Sequence, residues 1–229
     1  MKRVLALTAM ALSMAVATPA SAAVIVVAGG AQPINQSFLG FGGTPAVNIP
    51  QLTASLGLVF TGTSNSGLTF NFNYSVDNTS SVVSALTGFG FDVNPNITGA
   101  SSTGLYQFVN TTSNVPNIGQ VDVCFNSGSS ASCAGAGSGA GGLLPSGGVA
   151  NGTLALTFGQ AYSSIDLTNF YVRYQGIQGI TGVTSAVGRP TTPPVPEPAT
   201  WAMMLLGFGG IGMAMRRSRR RSGALMQVA

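Results

Sequence analysis

Two stretches in the middle of the chain alternate apolar and polar side chains with a period of two. In the first, Leu52, Ala54, Leu56, Leu58 and Phe60 are separated by mostly polar or small residues. In the second, Leu68, Phe70, Phe72, Tyr74 and Val76 alternate with Thr69, Asn71, Asn73 and Ser75. Such a period puts one side of each segment in a core and the other in water, the pattern of a half-buried strand. Thr61 to Gly67 between them is short, polar and glycine-bearing, so the two strands are expected to form a hairpin. Further strands are expected at Phe89–Val93, Gly104–Val109, Val121–Phe125, Thr153–Phe158 and Phe170–Tyr174, with Asn and Gly clusters between them. No window outside the termini carries a helical stripe. Seven or eight short strands predict an all-β fold, an antiparallel β-sandwich with one face of each sheet buried. A β-solenoid is the alternative, but no fixed repeat period is present.

The N-terminus departs from this pattern. Lys2 and Arg3 precede an uncharged apolar run, Val4 to Ala17, then Thr18-Pro19, then Ala20-Ser21-Ala22. A short positive region, an apolar core too short for a membrane span and a small-x-small site make up a secretory signal peptide. Residues 1–22 are therefore expected to be cut off before Ala23, and residues 23–188 to be exported as the β-domain.

The C-terminus departs from it too. Arg189 to Pro198 holds five prolines in ten residues, which suits an extended spacer and no regular element. Ala199 to Met215 is uncharged, and as a helix its 17 residues would span about 25 Å, just short of a hydrocarbon core of about 30 Å. Trp201 stands at one end of it, and Arg216, Arg217, Arg219, Arg220 and Arg221 follow the other. An indole favours the headgroup level and an arginine cluster stays in the cytoplasm. Residues 199–221 are thus expected as a single transmembrane helix with its arginine cluster, and 222–229 as a cytoplasmic tail.

These residues also carry a resemblance. Pro196-Glu197-Pro198, Trp201 three positions on, the apolar span and the arginine cluster look like a PEP-CTERM sorting signal in its PEPxxW variant. The same tail is sometimes labelled an ice-binding protein C-terminal domain. The resemblance implies recognition by an exosortase, a membrane-embedded cysteine protease or transpeptidase acting near the motif. It also implies a bacterial envelope, exopolysaccharide or biofilm setting. Glu197 is the only glutamate in the chain. The tail after the arginines, Ser222 to Ala229, continues where many relatives stop. The middle resembles a group of PEP-CTERM cargo proteins called the cistern family. The residues concerned are Leu86-Thr87-Gly88-Phe89-Gly90-Phe91-Asp92, the Cys124 and Cys133 pair with the Gly-Ala run after it, and Asn169-Phe170-Tyr171-Val172-Arg173-Tyr174-Gln175. That resemblance implies no activity.

Composition narrows the chemistry. Only 6% of residues are charged and there is no histidine, which removes the commonest general base and metal ligand. The net charge of +4 belongs to the ends. Between Ala23 and Val195 the cations are Arg173 and Arg189, against Asp77, Asp92, Asp122 and Asp166. A slightly acidic middle has no electrostatic footprint for nucleic acid. Ser127 to Gly152 is rich in glycine and serine and is expected as a mobile loop. It is no phosphate cradle, because no lysine follows Lys2.

Cys124 and Cys133 are the only cysteines, and an even pair close in sequence in an exported chain predicts a disulfide. Their spacing, with no histidine, fits neither a zinc site nor a C-x-x-C redox pair. Asp77-Asn78 and Asp92-Val93-Asn94 have fewer ligands than a calcium loop, and Asx turns explain them more simply. The N-x-Ser/Thr sequons at Asn35, Asn78, Asn96, Asn110 and Asn151 are what a chain rich in these residues makes by chance. One T-x-T, at Thr61 and Thr63, is not the rank of threonines an ice face presents.

The expected function is that of a non-catalytic cell-surface or extracellular-matrix protein, with no metal and no cofactor. Its partners are an exosortase, the membrane as a transient anchor, and exopolysaccharide. The alternative is a carbohydrate-binding module using exposed tyrosines, for which Tyr106, Tyr162, Tyr171 and Tyr174 are the candidates.

Overall fold

The structure, a computed structural model, describes residues 24–30, 33–128, 133, 141–191 and 208. The signal peptide, the Pro196-Glu197-Pro198 motif, Trp201, the arginine cluster and the tail expected from the sequence lie outside these residues. So does most of the Gly-Ala run. The chain divides into two units, and the larger, Ser21–Pro193, holds every described residue except Phe208. Among the described residues no helix is long and apolar enough to cross a membrane.

Among the described residues of the larger unit eleven strands follow one another: β1 (Val24–Val27), β2 (Pro33–Gly42), β3 (Val47–Ser64), β4 (Thr69–Asn78), β5 (Ala85–Asn94), β6 (Gly99–Ser102), β7 (Phe108–Val115), β8 (Gly119–Asn126), β9 (Val149–Thr157), β10 (Ser164–Gln175) and β11 (Ser185–Pro190). Every pairing between them is antiparallel. The expected hairpin is β3–β4, in register with Phe60 opposite Phe72 and closed by a short 3-10 turn at Asn65–Gly67. Along β4 the alternation holds to the end: Phe70, Phe72, Tyr74 and Val76 are buried and Asn71, Asn73, Ser75 and Asp77 are not.

The two separate sheets of a sandwich are not formed. One continuous sheet runs β6-β9-β4-β3-β2-β11-β10-β5-β8-β7, with β1 added to β10. The physical reason is β11, which hydrogen-bonds to β10 on one side and to β2 on the other, so the two halves share one ladder. The sheet curls until its halves face each other and is nearly a barrel. Tyr74 of β4 and Phe89 of β5, five strands apart along the path, have ring centroids 5.4 Å apart. Phe89 also stacks on Phe125 at 5.1 Å. Offset and edge-on ring pairs of this kind add to simple burial.

Four strands were invisible to the period-of-two reading: β1, β2, β6 and β11. Gly104–Val109 also differs from expectation. Gly104–Tyr106 is a 3-10 turn, entered through a left-handed Gly104 (φ +78), and the strand starts at Phe108. The turn drops Tyr106 into the core, where its hydroxyl donates to Leu86 O at 3.0 Å and its amide donates to Tyr74 Oη at 3.3 Å. The glycine- and serine-rich stretch ends sooner than expected, since β9 takes in Val149 to Gly152, and Leu143 bridges Leu86. β11 takes in Arg189 and Pro190, the first two residues of the segment expected as a spacer.

Candidate functional site

On β5 the sequence Gly88-Phe89-Gly90-Phe91 gives the outer face its character. Alternation sends both phenylalanines into the core, where each is fully buried, and both glycines outward. The glycines leave a trough across three strands, with Asn126, Gly88 and Arg173 in one row and Cys124, Gly90 and Tyr171 in the next. Tyr171 lies down into it: a Cβ on Gly90 would stand 2.7 Å from Tyr171 Cε1 and would meet Val123 O. Cys124 and Cys133 come together here at disulfide distance, with Cα atoms 6.3 Å apart. With Tyr171, Val115, Val121 and Val187 they make a second small apolar cluster on the outer face, with Phe41 and Ile118 against it.

A crevice lies beside this cluster, lined by Thr87, Gly88, Phe125, Asn126, Cys133, Tyr171 and Arg173, with no room for a water molecule. Its buried polar side chains include Asn126, Tyr171 and Arg173. Asn126 Nδ2 and Tyr171 Oη are buried with no hydrogen-bond partner, and Arg173 donates through Nη2 to Ser185 Oγ at 3.2 Å. Burial pushes the Tyr171 phenol well above its usual range and lowers Arg173, whose charged form loses hydration. Among the described residues no pair of carboxylates and no nucleophile with a base converges on it.

The aspartates meet elsewhere on the same face. Asp92 and Asp122 are neighbours across β5 and β8 at the point where those strands separate. Asp122 Oδ2 accepts from Val93 N at 2.9 Å, and Asp92 Oδ1 accepts from Asp122 N at 3.2 Å. Asn169 Nδ2 donates to Asp92 Oδ2 at 2.5 Å, and Asn94 Nδ2 donates to Asp166 Oδ2 at 3.4 Å. The carboxylates thus satisfy amides left open at a ladder end, the kind of role expected of Asx residues. Among the described residues no group of three His, Cys, Asp or Glu is placed to hold a metal ion.

Three of the four tyrosines expected as sugar-binding candidates are closed off from solvent. Tyr106, Tyr171 and Tyr174 are fully buried, and Tyr162 is half-buried with its ring edge-on to Phe158 at 5.6 Å. Long apolar bodies with one polar tip fill this core, and burial raises the phenol pKa of Tyr106 and Tyr174 as it does that of Tyr171. The period of two around Phe170-Tyr171-Val172-Arg173-Tyr174 gave no sign of this, because both faces of β10 are covered there.

Comparison with known proteins places a function at the C-terminal end of the chain. Residues 194–221 match the PEP-CTERM protein-sorting motif. The match takes in Pro196, Glu197, Pro198, Trp201 and the five arginines expected to matter. This class of signal implies an exosortase as processing partner and export to the cell envelope or surface. No curated protein and no solved structure matches the chain.

Proposed function

We propose that the chain is a non-catalytic cell-surface or matrix protein: a β-domain made for export, anchored for a time by its C-terminal segment and then detached by an exosortase. The observation that carries this is the sorting motif, matched from residue 194, three residues after the domain's last described residue, Thr191. The signal peptide at 1–22 delivers the N-terminus across the membrane. The arginines from Arg216 to Arg221 keep the other end inside, because moving five charges through lipid is costly. The apolar span ahead of the arginines, Ala199 to Met215, is short and holds four glycines, which suits an anchor that is later given up. A disulfide between Cys124 and Cys133 belongs to the same oxidising destination.

Exopolysaccharide is the proposed material around the domain. With Tyr106 and Tyr174 in the core and Tyr171 buried in the outer cluster, contact with it falls to the Asn, Ser and Thr side chains on the outer face of β3, β4 and β9. The test is Glu197→Ala in cells that express an exosortase. The variant is expected to be exported, to lose its signal peptide ahead of Ala23, and to accumulate in the membrane fraction with its tail uncut. Equal partitioning of both forms, each retaining Arg216 to Ala229, would leave a plain single-pass membrane protein.

A further inference from the structure

The strand registers carry an inference about the two ends of the domain. β5 occupies one edge of β10 from Asp166 to Gln175. The other edge is shared. β11 takes the part from Val172 to Gln175 and β1 takes the part from Ser164 to Leu167. Both run antiparallel to β10, so they point the same way and lie end to end, as two pieces of one interrupted strand. The chain enters the domain at Val24, opposite Leu167, where β1 begins. It leaves at Thr191, just past β11, where Thr191 N donates to Ser37 O at 2.8 Å. The β11 pairing with β10 ends at Gly188 opposite Val172, five positions along β10 from Leu167, the partner of Val24, and the β10 irregularity between Thr168 and Tyr171 lies in that gap. At about 3.3 Å per residue the gap is at most roughly 17 Å, and the chain runs on into it from Gly188 to Thr191.

The surface around this seam is acidic. Asp92, Asp122 and Asp166 alternate with the buried Phe91, Val93, Val123, Ile165 and Leu167, so they stand on the outer face of the sheet. Arg189 is the cation close by, and it is engaged, with its guanidinium 3.6 Å from the Phe41 ring centroid and Nη2 donating to Asn117 O at 2.5 Å. Basic residues are drawn to an anionic leaflet, and carboxylates oppose that attraction.

We infer that the signal peptide and the sorting tail leave the folded domain at one seam, so that the unprocessed protein is held to the membrane at a single point by two covalent segments. We infer also that the acidic seam gives the domain no hold on an anionic lipid surface once both are cut. This rests on the sorting reading above and adds the fate of the product, which is release. Neither cut removes a strand: β1 starts after Ala23 and β11 ends before the motif. Thr191 and Pro196 are five residue steps apart, a reach of at most about 18 Å, so the sorting enzyme works close against this seam.

Two measurements test it. In the full-length chain, Ile25→Cys is paired with Thr191→Cys and treated with a bis-maleimide spanning about three strand residues, or about 10 Å. Ile25 is 57% exposed. Efficient intramolecular linkage is expected, well above that of a Val149→Cys and Thr191→Cys control. Linkage no better than the control overturns the shared exit. The second is flotation with phosphatidylcholine–phosphatidylglycerol vesicles. The full chain is expected to float and the doubly processed form to stay behind. Flotation of the processed form overturns release, whereas failure of the full chain to float instead refutes the membrane anchor of the sorting reading.

Discussion

The two halves of the sheet are built from the same antiparallel ladder but treat their outer faces differently. In β3, β4 and β9 one face is core and the other meets water, so the chain writes apolar and polar residues in turn. In β5, β8 and β10 the outer face is itself covered, by Tyr171, the Cys124–Cys133 pair and Val187. There the buried residues run on without a break, from Leu86 to Phe91, from Val123 to Asn126 and from Phe170 to Gln175. A strand covered on both faces loses its period, and small residues such as Gly88 and Gly90 take over the side where something must lie flat. The difference shows that this domain has a principal core inside the curl and a lesser one outside it, on one half only.

The sharpest way to break the comparison is to remove what joins the halves. Phe89→Ala opens the core where rings from β4, β5 and β8 meet, and is expected to cost about 3–5 kcal/mol in urea unfolding. A loss below about 1 kcal/mol would mean that the halves are held by the β11 ladder alone. Alkali should act nearly as strongly. Tyr106, Tyr171 and Tyr174 have phenols raised by burial, so above the unfolded value of about 10 the unfolded chain loses protons that the folded one keeps. Their contribution is complete below that pH and falls as pH rises, by about 1.4 kcal/mol per unit for each tyrosine. Tyrosinate absorbance appearing together with unfolding checks this; gradual ionisation of a folded protein would contradict it.

Two smaller effects address the outer cluster directly. Reducing Cys124–Cys133, or changing both to serine, opens a loop of about ten residues and should cost about 2.7 kcal/mol. Cysteines that alkylate freely in exported protein would show that no bond forms. Gly90→Ala should cost about 1–3 kcal/mol by overpacking, because the new methyl meets Tyr171 and Val123. Gly99→Ala on β6 meets nothing within 4 Å and should be neutral or slightly stabilising. Equal melting shifts for these two glycines would remove the distinction between the halves. The smallest effect is expected at exposed Asn73 on β4, where Asn73→Ser should stay within about 0.5 kcal/mol.

What could be read without the structure follows the same division. The β3–β4 hairpin was plain because water on one face forces polar residues at alternate positions, and that constraint is local. The Cys124–Cys133 pair and the C-terminal signal were plain for a related reason, since nearby cysteines and a linear motif depend on little beyond neighbouring residues. The strands β2 and β11 were not visible, because their identity comes from partners far away: Phe38 from Pro190, and Gly188 from Val172. The 3-10 turn at Gly104 hides in a run that looks like a strand until Tyr106 is seen to enter the core.

By itself the sequence determined the class of the domain, its antiparallel hairpin and its C-terminal address, because hydration periodicity and short motifs act over a few residues. Only the tertiary structure decided that the strands form one curled sheet, that Tyr106, Tyr171 and Tyr174 are interior, and that β1 and β11 share an edge of β10. Those outcomes depend on which surfaces cover which, and a linear pattern holds no record of a face buried by residues fifty or a hundred positions away.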